Sequence, residues 1–245
     1  MDNKTKFQKY KYFLWLLYIP AYFISFFALE KRNDVAFHYI HSSIDDSIPF
    51  CEYFIIPYYL WFAFIFVSVG LFIIYDFEGF KKLAWFLALG MTAFIIICYF
   101  WPNALQLRPS AADLSKNNIC AKIVRYLYKT DTPTNVFPSI HVYNTLCVET
   151  AILKSRLRKK HPLVTVFVVI LSILIIAATV FLKQHSIIDV IGAFGMAFLF
   201  YLPIYLPGDL KKMREKKAAK IEAKIEAETA TEADVEKSEV SETVA

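Results

Sequence analysis

Long apolar runs separated by short charged stretches dominate the chain. Tyr53–Tyr75, Leu83–Trp101 and Leu163–Leu182 carry no charge; each is close to the roughly 20 mostly apolar residues that a membrane-spanning helix needs. Tyr12–Leu29 is slightly shorter and also uncharged. Two further runs are interrupted: Val136–Leu153 contains His141 and Glu149, and Ser186–Pro207 contains Asp189. The pattern predicts an all-α polytopic membrane protein with six transmembrane helices. Four lysines precede the first run, as in a signal peptide. Glu30-Lys31-Arg32 follows it where a small-residue cleavage site would stand, so a retained helix is expected.

Charge then orients the spans. With the N-terminus in the cytoplasm, the inner segments are Lys4–Lys11, Asp76–Lys82, Lys154–His161 and Lys211–Lys217, all rich in Lys or Arg. The outer segments Glu30–Glu52, Pro102–Asn135 and Lys183–His185 are poorer in cations for their length. The positive-inside rule therefore predicts cytoplasmic termini at both ends. The expected organisation is a cytoplasmic N-terminus at 1–11, a six-helix domain at 12–210, and a basic, then acidic, disordered cytoplasmic tail at 211–245. Glu222–Glu228 has only transient helical character, and Asn117–Lys129 has the spacing of a short interfacial helix.

Composition agrees: 57% hydrophobic and 17% aromatic residues in 245, with a mean hydropathy of +0.43, exclude an ordinary soluble domain. The net charge of +5 is modest and sits beside apolar runs, which indicates topology determinants and no nucleic-acid partner. The four cysteines form no Cys-x-x-Cys pair; Cys98 and Cys147 read as buried apolar residues, and no disulfide is expected between Cys51 and Cys120. The outer-loop residues His38, His41, Asp45 and Asp46 lack a tight ligand spacing and read as a solvated cluster.

An ionisable side chain beside an apolar run is costly and calls for a reason. His141 follows Pro138-Ser139-Ile140; His185 follows Lys183-Gln184 and precedes Asp189 by four residues. On a helix, that spacing lets the carboxylate hold the imidazole. The topology brings His141, His185 and Arg108 to one membrane face, the outer one. Two histidines, one backed by a carboxylate, can serve as nucleophile and proton donor. Structural histidines at the interface, a Ser139–His185–Asp189 hydrolase and a zinc site are the competing readings. The second lacks a Gly-x-Ser-x-Gly elbow, and for the third a carboxylate one turn away equally suits a supporting role.

Arg108-Pro109, Pro138-Ser139-Ile140-His141 and His185-Ser186-Ile187-Ile188-Asp189, in this order, resemble the motifs of the type 2 phosphatidic acid phosphatase superfamily. The resemblance covers roughly Leu83–Pro207. Trp101 stands where the family usually has lysine, Ile140 replaces a glycine, and Ala178-Thr179 replace Ser-Arg. The Lys-Gln-His variant is similar to the branch that includes inositol phosphorylceramide synthases. The resemblance implies a catalytic set of His141, His185 and Asp189. His185 would be the nucleophile, Asp189 its orienting partner and His141 the acid and base. Arg108, Ser139 and Lys183 would hold phosphate, with no metal and no cofactor. It implies hydrolysis of a lipid phosphate monoester or polyprenyl pyrophosphate through a phosphohistidine. Lipid head-group phosphotransfer and a non-catalytic scaffold or transporter are the alternatives. The expected partners are the lipid substrate and membrane lipids; oligomeric state stays open. The expected location is a bacterial plasma membrane with the site on its outer face.

Overall fold

The computed structural model describes residues 3–32, 34–109, 114, 118–155 and 157–222, apart from the side chains of 3–16 and of Lys159. The cationic side chains expected at Lys4–Lys11, Arg156, the start of the interfacial helix at Asn117 and the tail beyond 222 lie outside them.

The protein is mostly helical, as the apolar runs require. Its helices are α1 (Asn3–Glu30), α2 (Ser43–Ser47), α3 (Ile55–Tyr75), α4 (Phe77–Phe100), α5 (Ile119–Thr130), α6 (Ile140–Lys154), α7 (Leu157–Lys160), α8 (Pro162–Phe181) and α9 (Ile187–Ile204). A further helix, α10, covers 206–222. Two compact units divide at Phe200: Met1–Phe200 holds the bundle, and Tyr201–Ala245 contains α10. In the second unit Lys211, Lys212, Arg214, Lys216 and Lys217 are all exposed.

Four described helices are long and apolar enough to cross a membrane: α3 with its preceding turn, α4, α8 and α9. The two other expected spans fall to α1, whose described apolar part is Leu17–Glu30, and to α6. Helix α6 has 15 residues, about 22 Å at 1.5 Å per residue. It packs against α3, α4 and α8. That enclosure buries Asn144 and Thr145 beside Val142, Tyr143, Cys147 and Val148, so its polar groups face protein where an isolated span would turn them to lipid. The apolar residues left outside, such as Phe66, Phe167 and Phe198, suit a lipid solvent.

Local chemistry places the helix ends. The Asp76 carboxylate accepts from Gly79 N–H at 2.9 Å and starts α4 directly after α3. Asn118 caps α5 through Ala121 N–H at 2.8 Å, and Pro162 opens α8. Close packing then depends on Gly90. A Cβ there would fall inside the Tyr143 ring, whose hydroxyl donates to Phe86 O at 2.5 Å. Gly90→Ala is expected to lower stability by about 1–3 kcal/mol through overpacking, read as a lower thermal midpoint of the detergent-solubilised protein. An unchanged midpoint would show that Tyr143 moves aside freely.

A small sheet, not expected from an all-α pattern, ties the loops at one end of the bundle. Strands β1 (His38–Ile40) and β2 (Asn103–Leu105) pair in parallel, His38 opposite Asn103 and Ile40 opposite Leu105. Buried Asn103 holds the join: its side-chain oxygen accepts from Val136 and Phe137 N–H at 2.7 and 2.8 Å, and its amide donates to Trp101 O. These bonds anchor the strand-like approach to α6. All four cysteines are free.

Candidate active site

The turn that carries His185 is built by the end of α8. Lys183 N–H bonds to Val180 O and Gln184 N–H to Thr179 O, both at 3.0 Å. This paired arrangement is a Schellman motif, whose left-handed position usually takes glycine. Here Lys183 occupies it, at φ 53°. Its ammonium is drawn to the C-terminal end of α2, donating to Asp45 O and Ile48 O at 2.6 Å each. Burial lowers its pKa, and Asp45 and Asp46 oppose that shift. The geometry thus turns Lys183, expected to hold phosphate, toward backbone carbonyls.

His185 itself is buried, with its N–H on Thr179 O at 3.0 Å. Its Nδ1 faces Asp189 Oδ2 at 3.4 Å, and the same oxygen accepts Ser186 N–H at 2.8 Å. An ionised carboxylate only accepts, so this pairing favours the tautomer with the proton on Nδ1. The other carboxylate oxygen, Oδ1, is buried without a hydrogen-bond partner.

Helix α6 brings its N-terminus to that of α9. Ser139 N–H donates to Asp189 O at 3.1 Å, while its hydroxyl accepts from Val142 N–H at 3.4 Å as the helix cap. The Ser139 amide, expected to face a phosphate, therefore links the two helix starts. Two residues on, the His141 ring lies 5.7 Å from that of His185, centroid to centroid. Trp61 and Tyr58 flank it at 4.4 and 4.8 Å. The Trp61 indole donates to His141 O at 3.0 Å, whereas His141 Nδ1 is buried with no partner.

Arg108 reaches the same place from the loop after β2. Its Nη1 donates to Tyr128 O at 3.1 Å; Nη2 donates to Asp131 O at 2.8 Å and to Gln184 Oε1 at 2.9 Å. The guanidinium carbon lies 4.6 Å from the Tyr128 ring centroid. The contact with Gln184 puts this cation against the residue next to His185. Its Nε is buried and unpartnered. Burial lowers the Arg108 pKa and raises that of Asp131; each group opposes the other's shift. Asp131 accepts from the Gln184 side-chain amide at 3.2 Å.

The structure thus brings together His141, His185, Asp189 and Arg108, with Ser139 and Lys183 supporting the backbone. Thr179, at the position of a usual family arginine, donates its hydroxyl to Ile176 O in its own helix. Trp101, at the usual lysine position, packs on His38 and Phe137. Asp131, Gln184, Tyr58 and Trp61 are further residues of the site that the motifs did not single out. For Gln184 the one signal was its place between Lys183 and His185. The expected solvated cluster divides: His41 and Asp46 form an exposed pair at 2.9 Å, while Asp45 is 1% exposed.

The ordered motifs lie on a recognised sequence pattern. The family model PAP2 superfamily matches residues 83–209. The chain belongs to the PAP2 superfamily, and phosphatase- or phosphotransferase-type chemistry goes with that membership. No curated protein and no solved structure matches the chain.

Proposed function

We propose that this protein is a membrane phosphatase acting on a lipid phosphate monoester or polyprenyl pyrophosphate, with His185 as nucleophile. The observation that carries the reading is the pair of facing imidazoles, 5.7 Å apart, with Asp189 behind one of them. The lone pair of His185 Nε2 attacks phosphorus, and the bond to the leaving oxygen breaks. His141, in its protonated form, gives that oxygen a proton. Asp189 holds the Nδ1–H and stabilises the positive charge that develops on the ring. In the second half, neutral His141 takes a proton from water; the oxygen attacks phosphorus, and the P–N bond breaks. Phosphate and free His185 result.

Arg108 supplies the fixed positive charge for the phosphoryl oxygens, where placed donors do most of the catalysis. Its unpartnered Nε supports this role. Ser139 contributes by fixing the start of α6. The charge pattern supports a site on the outer face: Lys81 and Lys82 lie near the start of α4, Lys154 at the end of α6, and Arg158 and Lys160 in α7, away from the helix starts beside the histidines.

The test is release of inorganic phosphate from dispersed long-chain phosphatidic acid, or from a polyprenyl pyrophosphate, by purified protein in chelator. Head-group exchange without phosphate release would replace hydrolysis by phosphotransfer to an alcohol. Arg108→Lys keeps the charge but loses the planar fork. It is expected to lower kcat/KM about 100-fold, the scale of one lost oxyanion donor. Wild-type kcat/KM in this variant would remove Arg108 from the reaction.

A further inference from the structure

The turn that holds His185 is gripped from outside the family-matched segment. Asp45, in α2, accepts Ile187 N–H through Oδ1 at 2.8 Å and the Ser186 hydroxyl through Oδ2 at 2.6 Å. Oδ2 also accepts Ser42 N–H at 2.9 Å, closing a capping box on α2. The carbonyl of Asp45 accepts Lys183 Nζ. Residues 183, 186 and 187 are therefore all tied to one side chain and its carbonyl, on both sides of His185. Ser186 is shared between two carboxylates, its N–H on Asp189 and its O–H on Asp45.

Burying a carboxylate is expensive unless donors meet it. Three donors and the positive end of α9 do so here. A segment needed only to join β1 to α3 has no use for such a group. A nucleophile that must hold its line to phosphorus does, because a misplacement of about 1 Å can lower rate about 100-fold.

We propose that Asp45 is a positioning residue for His185: through Ser186 and Ile187 it sets the start of α9, and so the Asp189 carboxylate that orients the imidazole. The proposal rests on the phosphohistidine reading above. Asp45 touches no reacting atom; it acts through the turn.

The experiment compares Asp45→Ala, Asp45→Asn, Ser186→Ala and the double variant Asp45→Ala/Ser186→Ala, assayed on dispersed phosphatidic acid with thermal midpoints measured in parallel. Asp45→Ala is expected to lower kcat about 100-fold while KM stays within about threefold. Asp45→Asn keeps an oxygen for Ile187 N–H and recovers part of the loss. Ser186→Ala lowers kcat about tenfold, and the double variant is slower than Asp45→Ala by less than that factor, since the Ser186–Asp45 bond is already lost in either single variant. Wild-type kcat in Asp45→Ala overturns the proposal, as does a double variant whose losses multiply. A loss that merely follows the fall in thermal midpoint and vanishes on cooling also overturns it. If Asp45→Ala does not fold, Ser186→Ala decides, and unchanged kcat there is fatal. Activity that survives His185→Ala defeats the phosphohistidine reading itself; loss in His185→Ala with wild-type rates in Asp45→Ala and Ser186→Ala defeats only the role of Asp45.

Discussion

Replacing His185 by alanine is expected to lower turnover by about 10^4-fold or more, the scale seen when an attacking group is removed. The same variant should acquire no label from substrate carrying radioactive phosphate. Wild-type protein quenched during turnover should carry a label that is stable in alkali and lost in acid, as a phosphorus–nitrogen bond requires. The geometry explains why the effect is this large. Asp189 can hold only the imidazole placed one helical turn before it, and His141 has no carboxylate partner among its described contacts. The two rings are therefore not interchangeable. Residual turnover near the wild-type rate, or label in the alanine variant, would sink the mechanism.

The second large effect is at the facing ring. His141→Ala should slow cleavage of an alkyl phosphate by about 10^2–10^4-fold, the usual contribution of a placed acid–base group. A substrate with a good leaving group, such as an aryl phosphate with a nitro substituent, needs no proton on departure. It should phosphorylate His185 in this variant at close to the normal rate. Water still has to lose a proton in the second half, so the phosphohistidine should accumulate. His185→Ala is thus unlabelled and His141→Ala is labelled and slow to discharge. Equal losses on both substrates, without accumulation, would show that His141 does not carry the proton.

The legible part of the site was the part with local spacing. His185 and Asp189 stand at i and i+4 at a helix start, and both histidines border long apolar runs, so pattern and topology alone brought them to one end. The mostly helical fold was legible for the same reason. Helix α5 was visible from the spacing of Ile119, Ile123, Val124 and Leu127; the structure buries Val124 and Leu127 against Ile55, Tyr58, Ala178 and Leu182 and leaves Ile119 and Ile123 exposed. The count of spans was less direct, because it treats every apolar run alike. Four helices meet length and apolarity among the described residues, and α6 takes its environment from its neighbours.

What could not be read depends on contacts between distant segments. Asp45 looks like any loop carboxylate until Ser186, 141 residues away, is placed beside it. Strands of three residues leave no periodicity, so the pairing at Asn103 had no signature. Lys183 was legible as a cation but not as the left-handed residue of a helix end, since glycine is the usual marker there. The side chain followed the backbone, and its ammonium meets the carbonyls of Asp45 and Ile48.

The short polar helix α6 has a consequence for how the protein is made. With His141, Asn144, Thr145 and Glu149 in 15 residues, it is too poor in apolar surface to partition into lipid by itself. Its neighbours α3 and α4 are synthesised before it, but α8 only after it. The segment bearing His141 therefore has to wait at the bilayer surface, or beside the insertion machinery, until the next hairpin partner emerges. A chain released before α8 should leave position 145 open to aqueous thiol reagents when cysteine is placed there, and the full chain, which buries that position, should shield it.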